Sequence, residues 1–245
     1  MDNAGYIALS RLAAQARATE VLANNMANAD TPGFQAVRPI FASFMDRQHD
    51  VDAPASGQSM AMSWDRATWR DEAAGPIQTT GNPLDVAISG EGFFALQTPK
   101  GERYTRAGRF TLGQDGTVMD ADGNALMGTT GAPLQVGVGD TRLTISGEGV
   151  LSSENGEIGR IRVVRFADGQ KPRAEGDRLL STEDPPEEMA RPALVQGAVE
   201  GSNVKPILEM TRLTDTQREF EFAAQFVERE DQRIRDAVDR IMKRS

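Results

Sequence analysis

Cysteine is absent from the 245 residues, histidine occurs once, and aromatic residues make up only 6%. The first absence removes disulfides, thiolate nucleophiles and Cys-ligated zinc or iron–sulfur sites together. The second leaves histidine chemistry to His49 alone, which stands beside Arg47 and Asp50 in a polar stretch and reads as a surface residue. Few aromatics mean few large core anchors. Basic residues are also short, 27 against 36 acidic for a net charge of -9, so phosphate backbones and anionic lipid would repel the chain. Nucleic acid is therefore not expected as a partner. No apolar run approaches the roughly 18 residues of a transmembrane helix, so membrane insertion is not expected. Arg11, Gln15, Arg17 and Glu20 break up the opening segment that a cleavable secretory signal would keep apolar.

Catalytic signatures are missing as well: there is no Gly-x-Ser-x-Gly, Walker A or His-Glu-x-x-His motif. Gly90-Glu91-Gly92-Phe93-Phe94-Ala95 formally fits a dinucleotide fingerprint, but Phe93 to Gln97 reads as a strand where the fingerprint requires a helix. Asp120-Ala121-Asp122-Gly123-Asn124 resembles a calcium loop, yet its glycine comes too early and no glutamate closes it, so a hairpin turn explains it better. Arg103-Tyr104-Thr105-Arg106 with Arg109-Phe110 interleaves basic and aromatic groups, against an acidic balance that argues for a plain strand. No catalytic, cofactor or metal site is expected.

The two ends follow one rule. Between Ala4 and Asn28 there is no proline, and Leu9, Leu12, Ala16, Leu22, Ala23 and Met26 recur at helical spacing. This predicts a helix of about seven turns, capped by Asp2 or Asn3. The connector turn Pro32-Gly33-Phe34 follows it. At the other end Leu213, Phe220, Val227, Ile234 and Ile241 fall at intervals of seven, one seam of a long helix. Neither stripe can be buried alone, and the economical solution pairs the two helices.

Between them glycine is frequent. Lys100-Gly101, Asp115-Gly116, Asp122-Gly123, Asn155-Gly156 and Asp168-Gly169 mark close turns. Strand-like runs lie between, at Leu84 to Ile88, Phe93 to Gln97, Arg109 to Leu112, Thr141 to Ile145 and Ile158 to Phe166. The expected fold class is α+β: long N- and C-terminal helices paired as a coiled coil, with a central antiparallel all-β domain. The expected organisation is residues 1–34 for the first helix, 35–74 for an extended connector, 75–203 for the β domain and 204–245 for the second helix.

Asn24, Asn25 and Asn28 crowd the end of the first helix, although asparagine is a poor interior helix residue. Capping explains Asn28; the alternative is that the amides make lateral contacts that fix register between packed helices.

Four blocks resemble the rod and hook proteins of the bacterial flagellum: Ala23 to Phe34; Thr80 to Ile88 continuing through Gly90 to Phe94; Tyr104 to Phe110 continuing to Gly116; and Glu200 to Val204 with Glu209-Met210, Arg218 and Phe220-Glu221. Length and the single β region look most like a proximal rod member, with the distal rod next. The resemblance implies a structural axial subunit of the basal-body rod where it spans the periplasm, whose helices form an inner tube with the β domain outward. It implies as partners neighbouring rod proteins, copies of itself and the flagellum's export apparatus. Leu12, Leu22, Asn24, Asn25, Met26 and Asn28 are then the helix-packing candidates at one end, with Leu213, Phe220, Val227, Ile234 and Ile241 at the other. The alternatives are a secreted adaptor that binds a helical partner, and a cell-wall hydrolase using Asp85 and Glu91 as its acid–base pair.

Overall fold

The computed structural model describes residues 3–47, 59–167, 170, 172–176 and 178–243. Asp2, His49 and Asp168-Gly169 lie outside them. Helix α1 spans Asn3–Ala27 and helix α2 spans Pro206–Met242. Proline at the first helical position suits the start of α2, because the missing N–H is one that a helix N-terminus leaves unpaired anyway.

The chain forms two compact units. The first holds α1, α2 and the strands β1 (Val37–Arg47) and β2 (Ser59–Arg70). Gln15 Nε2 donates to Glu219 Oε2 at 3.2 Å, and ten residues further along α1 Asn25 Nδ2 donates to Glu209 Oε2 at 3.3 Å, ten residues back along α2. The two helices therefore run antiparallel, side by side. The buried stripe of α1 is Ala8, Ala14, Gln15, Val21, Leu22 and Asn25. It is rotated from the stripe expected from apolarity: Leu9 is 57% exposed. Small and polar side chains occupy the contact instead, because they let the backbones come close and offer hydrogen bonds.

Strands β1 and β2 pair antiparallel from Val37↔Arg70 to Arg47↔Ser59, with one register shift between Ile40 and Phe41. This ribbon occupies most of the segment read as an extended connector. Its grouping with the helices corrects the expectation of one central all-β domain. The residues of this ribbon mix apolar, hydroxyl and charged side chains with Pro39, so no clean period-2 alternation marks it in the sequence.

The second unit comprises residues 28–36 and 72–204. Its strands β3 (Ile77–Thr79), β4 (Val86–Ile88), β5 (Phe93–Thr98) and β6 (Gly101–Thr105) are followed by shorter ones up to Ala198–Glu200. They form four sheets among the described residues, the largest of nine strands with β5 and β6 at its centre. Strand β5 carries core on both faces. Phe94 and Leu96 enter the main cluster with Ile88, Phe110, Leu126, Leu151, Ile161 and Val163, while Ala95 joins Tyr104, Val164 and Leu180 on the other side. Phe94 meets Phe110 edge to face at 5.3 Å. The single strand expected over Ile158 to Phe166 is two, Gly156–Arg160 and Val163–Arg165. The chain changes sheets at Ile161-Arg162, where Arg162 N–H donates to Met127 O at 2.9 Å.

Candidate assembly site

The helix unit is tied by a polar knot. Asn25 is fully buried; its Oδ1 accepts the Val37 N–H at 2.8 Å and its Nδ2 donates to the Val37 carbonyl at 2.9 Å, so one side chain pairs with β1 as a neighbouring strand would. Glu209 on α2 is 1% exposed and accepts from Asn25, from Arg38 at 2.6 Å and from Arg212 at 3.0 Å. Such a carboxylate is fully engaged and offers nothing to a substrate. What the knot does is set the register of α1, β1 and α2 against one another, since removing one partner would strand the others in a dry site.

Past α1 the chain turns within the β-rich unit. Thr31 N–H donates to Asn28 O at 3.2 Å, and Thr31 Oγ1 donates to Asn28 Oδ1 at 3.1 Å. Pro32 follows, and Gly33 adopts φ 70° with its N–H on the Glu200 carbonyl at 2.8 Å. A Cβ at Gly33 would lie 2.2 Å from the Ala107 nitrogen, so only glycine fits this approach. Phe34 is then buried with Ala36 and Val204.

Beneath the turn lies a buried ion pair. Arg106 Nε and Glu200 Oε2 are 3.3 Å apart, both side chains at most 5% exposed. Arg106 also donates to Gly92 O at 2.8 Å and Gly90 O at 2.7 Å, and it stacks over Phe93. Burial pushes the Glu200 carboxyl up, countered by Arg106 and the Gly75 N–H, and burial pulls the Arg106 guanidinium down.

These contacts bear on several motifs read in the sequence. The Gly90 and Gly92 carbonyls face a cation and β5 follows directly, the opposite of a phosphate cradle. Asp120 Oδ1 accepts the Asp122 and Asn124 N–H groups, closing a hairpin. Asp85 is 3% exposed and accepts from Thr80 and Asn82, with no opening for an acid–base role. Among the described residues no cluster has metal-ligand composition and no helix is long and apolar enough to cross a membrane.

Of the helix-packing candidates, Leu22 and Asn25 are buried; Leu12, Met26, Asn28, Leu213 and Val227 are half-buried; Asn24 is exposed. Phe220 is 40% and Ile241 67% exposed, and the side chain of Ile234 lies outside the description. Sequence reasoning missed Gln15, Arg38, Glu200, Asn203 and Glu209, because ordinary polar residues carry no signal of burial. It also missed Ile207, Phe222 and Phe226, which are 82%, 72% and 48% exposed on α2. The four-residue spacing of the two phenylalanines was the available clue.

Three family models match in chain order: flagella basal body rod protein over residues 6–35, flagellar hook protein FlgE/F/G D1 domain over residues 87–153, and flagellar basal body rod FlgEFG protein C-terminal over residues 195–240. Paired terminal helices around a β-rich middle, matched at all three places, define the flagellar rod-and-hook class. The chain is 34% identical to flagellar basal-body rod protein FlgF of Caulobacter vibrioides, with 99% of each chain covered. It is 33% identical to FlgF of Mesorhizobium japonicum over 91% of each, and 27% identical to the rod protein FlgG of Bacillus subtilis over 90% of this chain and 92% of that one. The chain belongs to the flagellar basal-body rod protein family and is FlgF-like, a structural subunit of the rod. Such membership implies assembly with other rod subunits and with copies of itself.

Proposed function

We propose that this chain is an axial subunit of the proximal rod that performs no catalysis, packs its terminal helices as a coiled coil against those of rod neighbours and further copies, and transmits torque through them. The supporting observation is the apolar stripe of α2. That helix already turns Glu209 and Ala223 inward, yet Ile207, Phe222 and Phe226 remain 82%, 72% and 48% exposed. Fully burying such side chains contributes about 1.5–3 kcal/mol each, a drive for association that the isolated chain leaves unused. Arrival through the flagellum's own export apparatus and a position where the rod crosses the periplasm belong to the same reading.

The test is deletion of the gene in its source bacterium, with restoration by wild type, by Phe220→Asp and by the double variant Phe222→Asp/Phe226→Asp. Electron microscopy of basal bodies gives the readout. Wild type restores complete rods, and the charged variants leave them truncated, because an unpaired carboxylate cannot be desolvated in a helix seam. Normal flagella from the double variant would overturn the role of the stripe, and normal flagella without the gene would overturn the axial role. Similarity to FlgG of Bacillus subtilis over 90% of this chain favours a second reading, a distal rod subunit. Rods that lack part of the proximal segment as well as the distal one in the deletion strain support the proximal position, and a complete proximal segment with only the distal segment missing supports the distal one.

A further inference from the structure

The backbone passes between the two units four times, after Ala27, after Ala36, before Glu72 and after Val204, and the last three of these crossings share partners inside the β-rich unit. Inside the β-rich unit the three segments are brought together in two layers. The deeper layer is Glu200, whose carbonyl accepts the Gly33 N–H at 2.8 Å and whose Oε1 accepts the Gly75 N–H at 2.9 Å. Gly75 is so close that a Cβ there would sit 1.9 Å from the Gly201 oxygen.

The outer layer is Asn203. Its Oδ1 accepts the Ala36 N–H at 2.7 Å, its Nδ2 donates to the Ala73 carbonyl at 2.8 Å, and its backbone N–H donates to Phe34 O at 3.3 Å. One side chain thus holds the last residue before the crossing at Ala36 and a residue just after the crossing at Glu72, while Asn203 itself stands next to the crossing at Val204. An amide is the group that can do this, because it presents an acceptor and a donor in one plane; a carboxylate lacks the donor and an alcohol lacks the reach.

We propose that Asn203 is a positioning residue that clasps three of the four chain crossings of the β-rich unit, those at Ala36, Glu72 and Val204, into one joint, so that load carried along any one of these segments is shared by the other two. Three separately anchored linkers would each fray alone; exits hydrogen-bonded to one side chain open together. The role of the joint in bearing load rests on the rod assignment, whereas the clasp itself does not.

The experiment measures amide hydrogen exchange on the purified full chain for wild type, Asn203→Ala and the isosteric Asn203→Asp. Asn203→Ala removes both arms: exchange at Ala36 rises roughly tenfold, as expected for a lost hydrogen bond, and Gly75, whose N–H Glu200 holds, exchanges faster because the segment carrying Ala73 opens with it. Asn203→Asp keeps the acceptor and loses the donor, so Ala36 stays protected while Gly75 exchanges faster. Amides held inside the core, Ala95 and Val118, stay as slow as in wild type in both variants. Unchanged exchange at Ala36 and Gly75 overturns the clasp. A uniform rise that includes Ala95 and Val118 also overturns it, by making Asn203 a general stability residue. In cells, both variants assemble rods in normal number but swim more slowly in viscous medium. Normal swimming with changed exchange overturns the load-bearing role and leaves the clasp standing.

Discussion

The two units invert each other. In the β-rich unit the main core cluster is apolar, with the Arg106–Glu200 pair set apart beneath the turn: Phe94, Leu96, Phe110, Leu126 and Val163 are all 1% exposed or less, and one edge-to-face pair anchors them. The helix unit buries Asn25, Glu209 and Gln15 and leaves Ile207, Phe222 and Phe226 outside. Hydrophobic burial is non-directional, so it stabilises without choosing a register; hydrogen bonds are weak in net terms but costly to leave unmade, so they choose. The β-rich unit closes its own core. The helix unit fixes its arrangement with polar ties and keeps apolar area for whatever it joins.

The sharpest way to break this comparison is to open the β-rich core. Phe94→Ala removes a ring in contact with Phe110 and leaves a cavity, at a cost of about 3–5 kcal/mol. Denaturant unfolding followed by near-ultraviolet circular dichroism measures it. A loss under about 1 kcal/mol would mean that the core is loosely packed and that the contrast between units is wrong.

In the helix unit the ranking of polar and aromatic residues should reverse. Asn25→Ala strands the Val37 N–H and carbonyl and removes one donor from Glu209 Oε2, and it costs about 1–3 kcal/mol. Phe222→Ser, at an exposed position, changes monomer stability by no more than about 0.5 kcal/mol although it deletes a whole ring. Equilibrium unfolding of the two variants side by side decides it. A larger loss from Phe222→Ser would show that the ring is already buried within the monomer.

How far this was legible in the sequence follows the same division. Both helices, the turn at Pro32-Gly33-Phe34 and the β-rich middle were readable, because period, breaker residues and glycine-bearing turns are local signals. The ribbon of β1 and β2 was not: a residue mix without clean alternation hides two consecutive strands, each of which depends on pairing with the other. Asn25 stood out as an unusual helix residue and is the one fully buried, whereas its neighbour Asn24 is exposed. Glu209, Glu200 and Asn203 stood only within a block of family resemblance, with nothing to mark them as ties. A buried carboxylate is decided by residues such as Arg38 and Arg106 that lie far away in sequence, and no local period encodes that.

The smallest effect should come from the surface of the β-rich unit, where polar ties are present but water competes. Glu154 accepts the Thr141 N–H at 3.0 Å, the Thr141 hydroxyl at 2.8 Å and the Arg142 N–H at 2.9 Å, all at an exposed turn. Hydrogen bonds from its own backbone and then from Arg142 and Thr141 hold its carboxyl down to about 2, against an ordinary value of 4.5. The folded value lies below the unfolded one, so the contribution is present above pH 4.5 and is lost as pH falls toward 2. Glu154→Gln should therefore be slightly less stable than wild type at neutral pH, with the difference shrinking across that window and gone below it. Carboxyl titration by nuclear magnetic resonance would place the Glu154 midpoint in wild type directly. A midpoint near the ordinary value, or a stability difference independent of pH, would show that solvent screens these bonds completely, and that only buried ties such as Arg106–Glu200 set geometry in the β-rich unit.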